Sequence, residues 1–154
     1  MENGSHDELV YLGGFFDGEG CIHVGKDCDA RSAHGARHQL VVQVVQTSEY
    51  PLDRYMRRWG GTIFHRTRPQ KEGHNLVWAW RLFKKEGCKR FCDDILPYVI
   101  IKKPQIELCL EFTKLLMENY GYNRWNPMPK SVWDERERLY HQCMELKNTV
   151  PGRT

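Results

Sequence analysis

The sequence lacks the features of a membrane-spanning or exported chain. Its longest unbroken apolar run is Leu76 to Trp80, five residues, where a helix needs roughly 20 to cross a bilayer. The first residues, Met1-Glu2-Asn3-Gly4-Ser5-His6-Asp7, are polar and acidic and hold no apolar core of a signal peptide. A soluble, intracellular protein with no membrane partner is expected. The six cysteines include no C-x-x-C pair, so neither a zinc site nor a redox motif is indicated. Cys88 and Cys92 instead fall one helical turn apart beside Phe91 and Ile95, the pattern of a packed apolar face. Charge of one sign is also scarce: 23 Lys and Arg face 20 Asp and Glu. The excess is local, since basic residues outnumber acidic ones between Arg54 and Lys103, and such a strip suits a polyanion or a merely solvated face.

With 154 residues, 40% of them apolar, the chain is read as one domain, residues 1–154, with a core over about 8–120 and a C-terminal helical extension over about 121–147. Ser5-x-x-Glu8 forms a capping box that would open a helix with Leu9, Leu12, Gly13 and Phe16 on one stripe, ended by Gly18 and Gly20. Two strands follow: Cys21 to Lys26, and Arg37 to Gln46, where Leu40, Val42 and Val44 alternate with Arg37, Gln39 and Gln43. A helix over Pro51 to Trp59 precedes a hairpin, Thr62 to Arg68 and Asn75 to Phe83, joined through Pro69 to Gly73. A helix carrying Cys88, Phe91, Cys92 and Ile95 comes next. Pro104 starts a longer one reaching about Tyr120, and Ser131-x-x-Asp134 caps a last helix with Val132, Leu139, Cys143 and Leu146 on one side. The order α-β-β-α-β-β-α with added helices is an α+β domain, one four-stranded antiparallel sheet covered by helices. Its polar face can read the major groove, because Arg and Gln make bidentate contacts to base edges.

Gly13-Gly14 within a helix costs about 1 kcal/mol per residue relative to Ala. Close approach of another backbone, from a second helix or the protein's own sheet, would offset that. Asp17 and Glu19 sit at the helix's negative end, unfavourable without a cation nearby. One carboxylate with a freed carbonyl suits a hard divalent ion.

Leu12-Gly13-Gly14-Phe15-Phe16-Asp17-Gly18-Glu19-Gly20 resembles the signature helix of the LAGLIDADG homing endonucleases, with Gly13 where Ala is usual and Glu19 where Asp is usual. Leu96-Pro97-Tyr98-Val99-Ile100-Ile101-Lys102-Lys103-Pro104-Gln105 resembles the family's second segment, and the element order is also the family's. The resemblance spans about Glu8 to Tyr120 and implies a site-specific double-strand DNA endonuclease, a meganuclease of the kind involved in intron homing. It implies Glu19 and the Gly18 carbonyl as metal ligands, Lys102 as the active-site lysine and Gln46 as the residue ordering water. The ion would be Mg²⁺, with Mn²⁺ a substitute and Ca²⁺ able to bind without supporting cleavage. Only one signature is present, which implies a homodimer packed through Leu9, Leu12, Gly13 and Phe16, cutting a long, nearly palindromic site. The DNA-facing set is His23, Arg37, Gln39, Gln43, Arg66, Arg68 and Arg81. An inactive DNA-binding protein, or an intron maturase that binds RNA, is the competing reading. The compartment implied is a bacterial or archaeal cytoplasm or an organelle matrix.

Overall fold

The computed structural model describes residues 2–66 and 76–148. Helix α1 (Glu2–Glu19) leads into strands β1 (Gly20–Cys28) and β2 (Ala36–Gln46), then α2 (Glu49–Trp59), β3 (Thr62–Arg66), β4 (Val77–Leu82) and α3 (Lys85–Ile95). A 3-10 turn (Leu96–Tyr98), α4 (Lys103–Glu118) and α5 (Lys130–Asn148) complete the chain. The four strands form one antiparallel sheet in the order β1-β2-β4-β3. This is the α+β architecture expected. None of the described helices is long and apolar enough to cross a membrane.

Alternation sorts the sheet's two faces. Ile22, Val24, Leu40, Val42, Val44, Trp80 and Leu82 are buried beneath the helices, while the residues between them face the other way. The core is aromatic at its centre: Tyr55 stacks on Trp80 at 5.0 Å between centroids, and Trp59 and Phe16 meet Phe91 edge-on at 4.8 and 5.0 Å. The Tyr55 hydroxyl donates to the Leu12 carbonyl at 2.6 Å, which fastens α2 to the middle of α1. Burial pushes its pKa well above the usual phenol range. Met56 is half-buried and packs against the same core.

Two element starts differ from expectation. α1 begins at Glu2, so Ser5 and Glu8 lie inside it and form no capping box. Both side chains instead accept from the Arg58 guanidinium of α2, each at 3.1 Å; a tertiary partner outcompetes the local cap. α5 begins at Lys130, where the Pro129 carbonyl accepts from the Val132 and Trp133 amides at 3.1 Å, and Ser131 is already helical. β4 is also shorter than expected, since Leu76 and Phe83 lie outside it, and Arg68 with the turn at Pro69 to Gly73 lies outside the described residues.

α5 docks on β1 through a mixed polar and aromatic seat. Glu137 takes the Lys26 ammonium and His38 Nε2, both at 2.8 Å. The His38 ring packs among Trp133 at 4.5 Å, Tyr140 at 5.9 Å and Phe112 at 6.4 Å. Its Nδ1 is buried with no partner, so a second ring proton there would have no acceptor. Burial, with smaller contributions from Arg136 and Lys26, holds the His38 pKa below 6.5 against the opposing pull of Glu137. The folded state therefore takes up this proton at lower pH than the unfolded chain, and stability falls as pH drops below 6.5. The urea midpoint should decline on acidification through that range. In His38→Gln the decline should be shallower without vanishing, because the His23 pKa is displaced in the same direction.

Candidate active site and nucleic-acid face

The functional end of α1 is built on one carboxylate. Asp17 accepts three backbone amides from the segment before α4: Ile100 at 2.6 Å, Ile101 at 3.2 Å and Lys102 at 3.0 Å. In return the Lys102 ammonium donates to the Asp17 carbonyl at 2.6 Å. Positive charge is thereby laid on the C-terminal end of α1, where the helix dipole favours it. Gly20 lets the chain turn straight into β1, since a Cβ there would overlap the Phe16 ring.

Glu19, the last residue of α1, is exposed. Successive helix residues are about 100° apart, so its carboxylate points away from that of Asp17. Carbonyls of a helix's last turn, Gly18 among them, have no intrahelical donor. Two hard oxygen donors fit Mg²⁺, Mn²⁺ or Ca²⁺ in kind. No group of three or more His, Cys, Asp or Glu that could hold a metal occurs among the described residues. One copy thus offers part of a coordination shell, which agrees with the habit of Mg²⁺ to complete its shell with water and phosphate.

Beside Glu19 lies a cleft of about 370 Å³ lined by Gly18, Gly20, Cys21, Lys102, Gln105 and Lys147, among others. Gln105 and Lys147 were not foreseen from sequence. Gln105 follows Lys102 by one helical turn, a spacing that could have flagged it; Lys147 arrives only because α5 docks on β1. Gln46 closes β2 at the same end of the sheet, two residues past the Gly20 partner Val44. Its Oε1 accepts from the Thr47 amide at 2.7 Å and hydroxyl at 3.0 Å, which leaves its amide N–H groups as the available donors.

The sheet's uncovered face carries His23, Arg37, Gln39, Gln43 and Arg81, as the alternation predicts. Gln43 sits opposite both Cys21 and Arg81, and Gln39 opposite Gly25. Arg81 Nε donates to Gln43 Oε1, and its guanidinium lies 4.9 Å from the Phe64 ring. Arg66 ends β3 opposite Val77. Burial, then Lys147 and Arg81, lower the His23 pKa, so its ring is neutral near pH 7. Val41, Val45 and Phe64, absent from the sequence reading, share this face by alternation and are half-buried.

The expected packing surface of α1 needs correction. Leu12 and Phe16 are fully buried in the chain's own core, and Leu9 is packed against it. Gly13 faces inward too: a Cβ there would stand 2.5 Å from Tyr98 Cβ. The outward stripe is Val10, Gly14 and Gly18, with Val10 49% exposed and nothing within 4 Å of a Cβ on either glycine. Adjacent glycines point about 100° apart, so only one of the pair can face a partner.

No protein-family model matches the sequence, and no curated protein matches it. Among solved structures the chain is similar to the homing endonuclease I-CvuI in complex with the I-CreI target in the presence of Mg, with TM-score 0.74 and 21% identity, covering 97% of this chain and 87% of that one. It is also similar to the archaeal intron-encoded homing endonuclease I-Vdi141I complexed with DNA, with TM-score 0.74 and 16% identity over 92% and 84% of the two chains. For the I-SmaMI LAGLIDADG homing endonuclease bound to cleaved DNA, TM-score 0.63 and 15% identity, the match covers 94% of this chain but 44% of that one. The fold is that of the LAGLIDADG homing endonucleases, in its single-domain form.

The two glycines should respond oppositely to the same change. Gly13→Ala should destabilise the protein by about 1–3 kcal/mol through overpacking against Tyr98. Gly14→Ala should stabilise the isolated chain by up to about 1 kcal/mol through helix propensity. Urea unfolding at low protein concentration measures both.

Proposed function

We propose that this protein is a site-specific double-strand DNA endonuclease that works as a metal-dependent homodimer. The observation that carries the reading is the placement of an exposed acid, Glu19, and a lysine, Lys102, bonded to the Asp17 carbonyl, both at the C-terminal end of α1. That end of the helix adjoins a polar sheet face on one side and an outward stripe of small residues on the other. Structural neighbours bound to DNA support the substrate class.

Glu19 and the Gly18 carbonyl would hold the divalent ion. When bound, such an ion polarises the scissile phosphate and lowers the pKa of water. Lys102 is held by the Asp17 carbonyl within the same cleft and offsets negative charge on the phosphate. The Gln46 amide donors orient water at the sheet's end. Two copies packed through Val10, Gly14 and Gly18 bring two Glu19 side chains together, one for each strand, and a two-fold assembly favours a nearly palindromic target. On the sheet, Arg81 and Gln43 address the major-groove edges, and the neutral His23 serves as donor and acceptor there.

Glu19→Gln should retain duplex binding while cleavage falls by more than the roughly 10–100-fold that loss of an outer-shell partner costs. Equal cleavage by variant and parent would refute the metal assignment. DNA or RNA binding without cutting in both proteins would instead identify an inactive binder or a maturase. Gly14→Leu should stay folded, because its side chain meets open space, yet sediment as a monomer and fail to make double-strand cuts.

A further inference from the structure

The C-terminal helix has so far only a packing role. We infer that α5 completes the cleft beside Glu19, with Lys147 supplying a second ammonium that contacts a backbone phosphate of the bound duplex. This rests on the DNA-cleaving reading above and deepens it.

Lys147 is the basic residue in the last turn of α5. It lines two adjoining clefts: the one of about 370 Å³ shared with Gly18, Lys102 and Gln105, and one of about 270 Å³ shared with His23, Lys26 and Tyr140. It therefore stands at the boundary between the candidate metal site and the sheet face that carries His23. Lys26, Lys89, Lys114 and Lys130 pair with carboxylates, and what sets Lys147 apart from the remaining lysines is its place on both clefts. Lys147 has no carboxylate partner among the described residues. A half-buried lysine that lines a cleft with no carboxylate partner among the described residues suits an external anion.

The cleft carries a second mark of a missing partner. Gln105 is 9% exposed, and its Oε1 is buried with no hydrogen bond. Buried acceptors left open in a native fold are rare. A hydrated phosphate beside Lys147 brings the water that fills this one. Lys102 gives one of its three ammonium donors to the Asp17 carbonyl, and Lys147 adds a second cation to the same cleft. The helix that carries Lys147 is fixed on β1 and β2 by the contacts of Glu137 with Lys26 and His38, which sets where its backbone stands beside the cleft. A lysine in a helix's last turn also complements the helix dipole, so the test must register a phosphate contact rather than helix stability.

That measurement is the salt dependence of duplex affinity. Anisotropy of a labelled random-sequence duplex with Ca²⁺ present, across a NaCl series, gives the slope of log affinity against log salt. Lys147→Met should reduce that slope by about 0.9 per subunit, the contribution of one neutralised phosphate, with an unchanged thermal midpoint. Lys147→Arg should restore it. Lys114→Met, on the exposed helical side and paired with Glu118, should leave it unaltered. If Lys147→Met melts early, Lys147→Gln carries the same test. An unchanged slope in a folded, uncharged variant would overturn the inference while leaving the endonuclease reading intact. Absence of salt-dependent duplex binding by the parent would overturn that reading, and the inference with it.

Discussion

The Asp17 carboxylate is the constraint on which the candidate site at the end of α1 depends. A negative side chain in the last turn of a helix opposes the macrodipole, and here the opposition is resolved by tertiary structure. Three amides from residues 100–102, at the positive start of α4, converge on the two oxygens. The C-terminal end of one helix and the N-terminal end of another are thus joined through a single charged group. Charge-assisted hydrogen bonds of this kind are about twice as strong as neutral ones. The same contact fixes the backbone that carries Lys102 and turns Glu19, two residues on, toward solvent. Two acidic residues that look equivalent in sequence become a clamp and an exposed ligand candidate.

Most of the fold was legible in the sequence, because strand alternation and helical stripes report directly which side chains avoid water. Leu40, Val42 and Val44 marked the covered face of β2, and Cys88, Phe91, Cys92 and Ile95 marked that of α3; all are buried. The errors have a common physical origin in α1. The stretch Leu9 to Phe16 of that helix is apolar on every side, so the pattern could not tell which stripe meets its own core and which is left outside. Leu12, Gly13 and Phe16 turned inward, and the small outward residues are Gly14 and Gly18. Ser5 and Glu8 had the right spacing for a cap, yet Arg58, 50 residues away from Glu8, claims them both. Lys147 was invisible for a similar reason, since its place in the cleft depends on how α5 docks, whereas Gln105 stands one helical turn past Lys102.

The cover layer shows how a small domain spends polarity. His38, Glu137 and Lys26 form a partly buried polar group where an apolar contact could have sealed α5 to the sheet. Buried ionic groups add little net stability, because desolvation offsets much of the attraction. What they impose is orientation, as Glu137 can meet both partners only when α5 lies in one register on β1 and β2. Aromatic rings around His38 keep its imidazole from water, while Lys26 and Glu137 remain partly exposed.

The pairing of Arg81 with Gln43 reaches beyond one molecule. The two residues lie opposite each other on β4 and β2 and share a hydrogen bond, so altering one leaves the other without its partner. Residues coupled in this way do not have additive effects. Under the proposed DNA-reading role, a change of recognition sequence would pass through an intermediate in which one side chain has lost its support, and the two positions would be exchanged together.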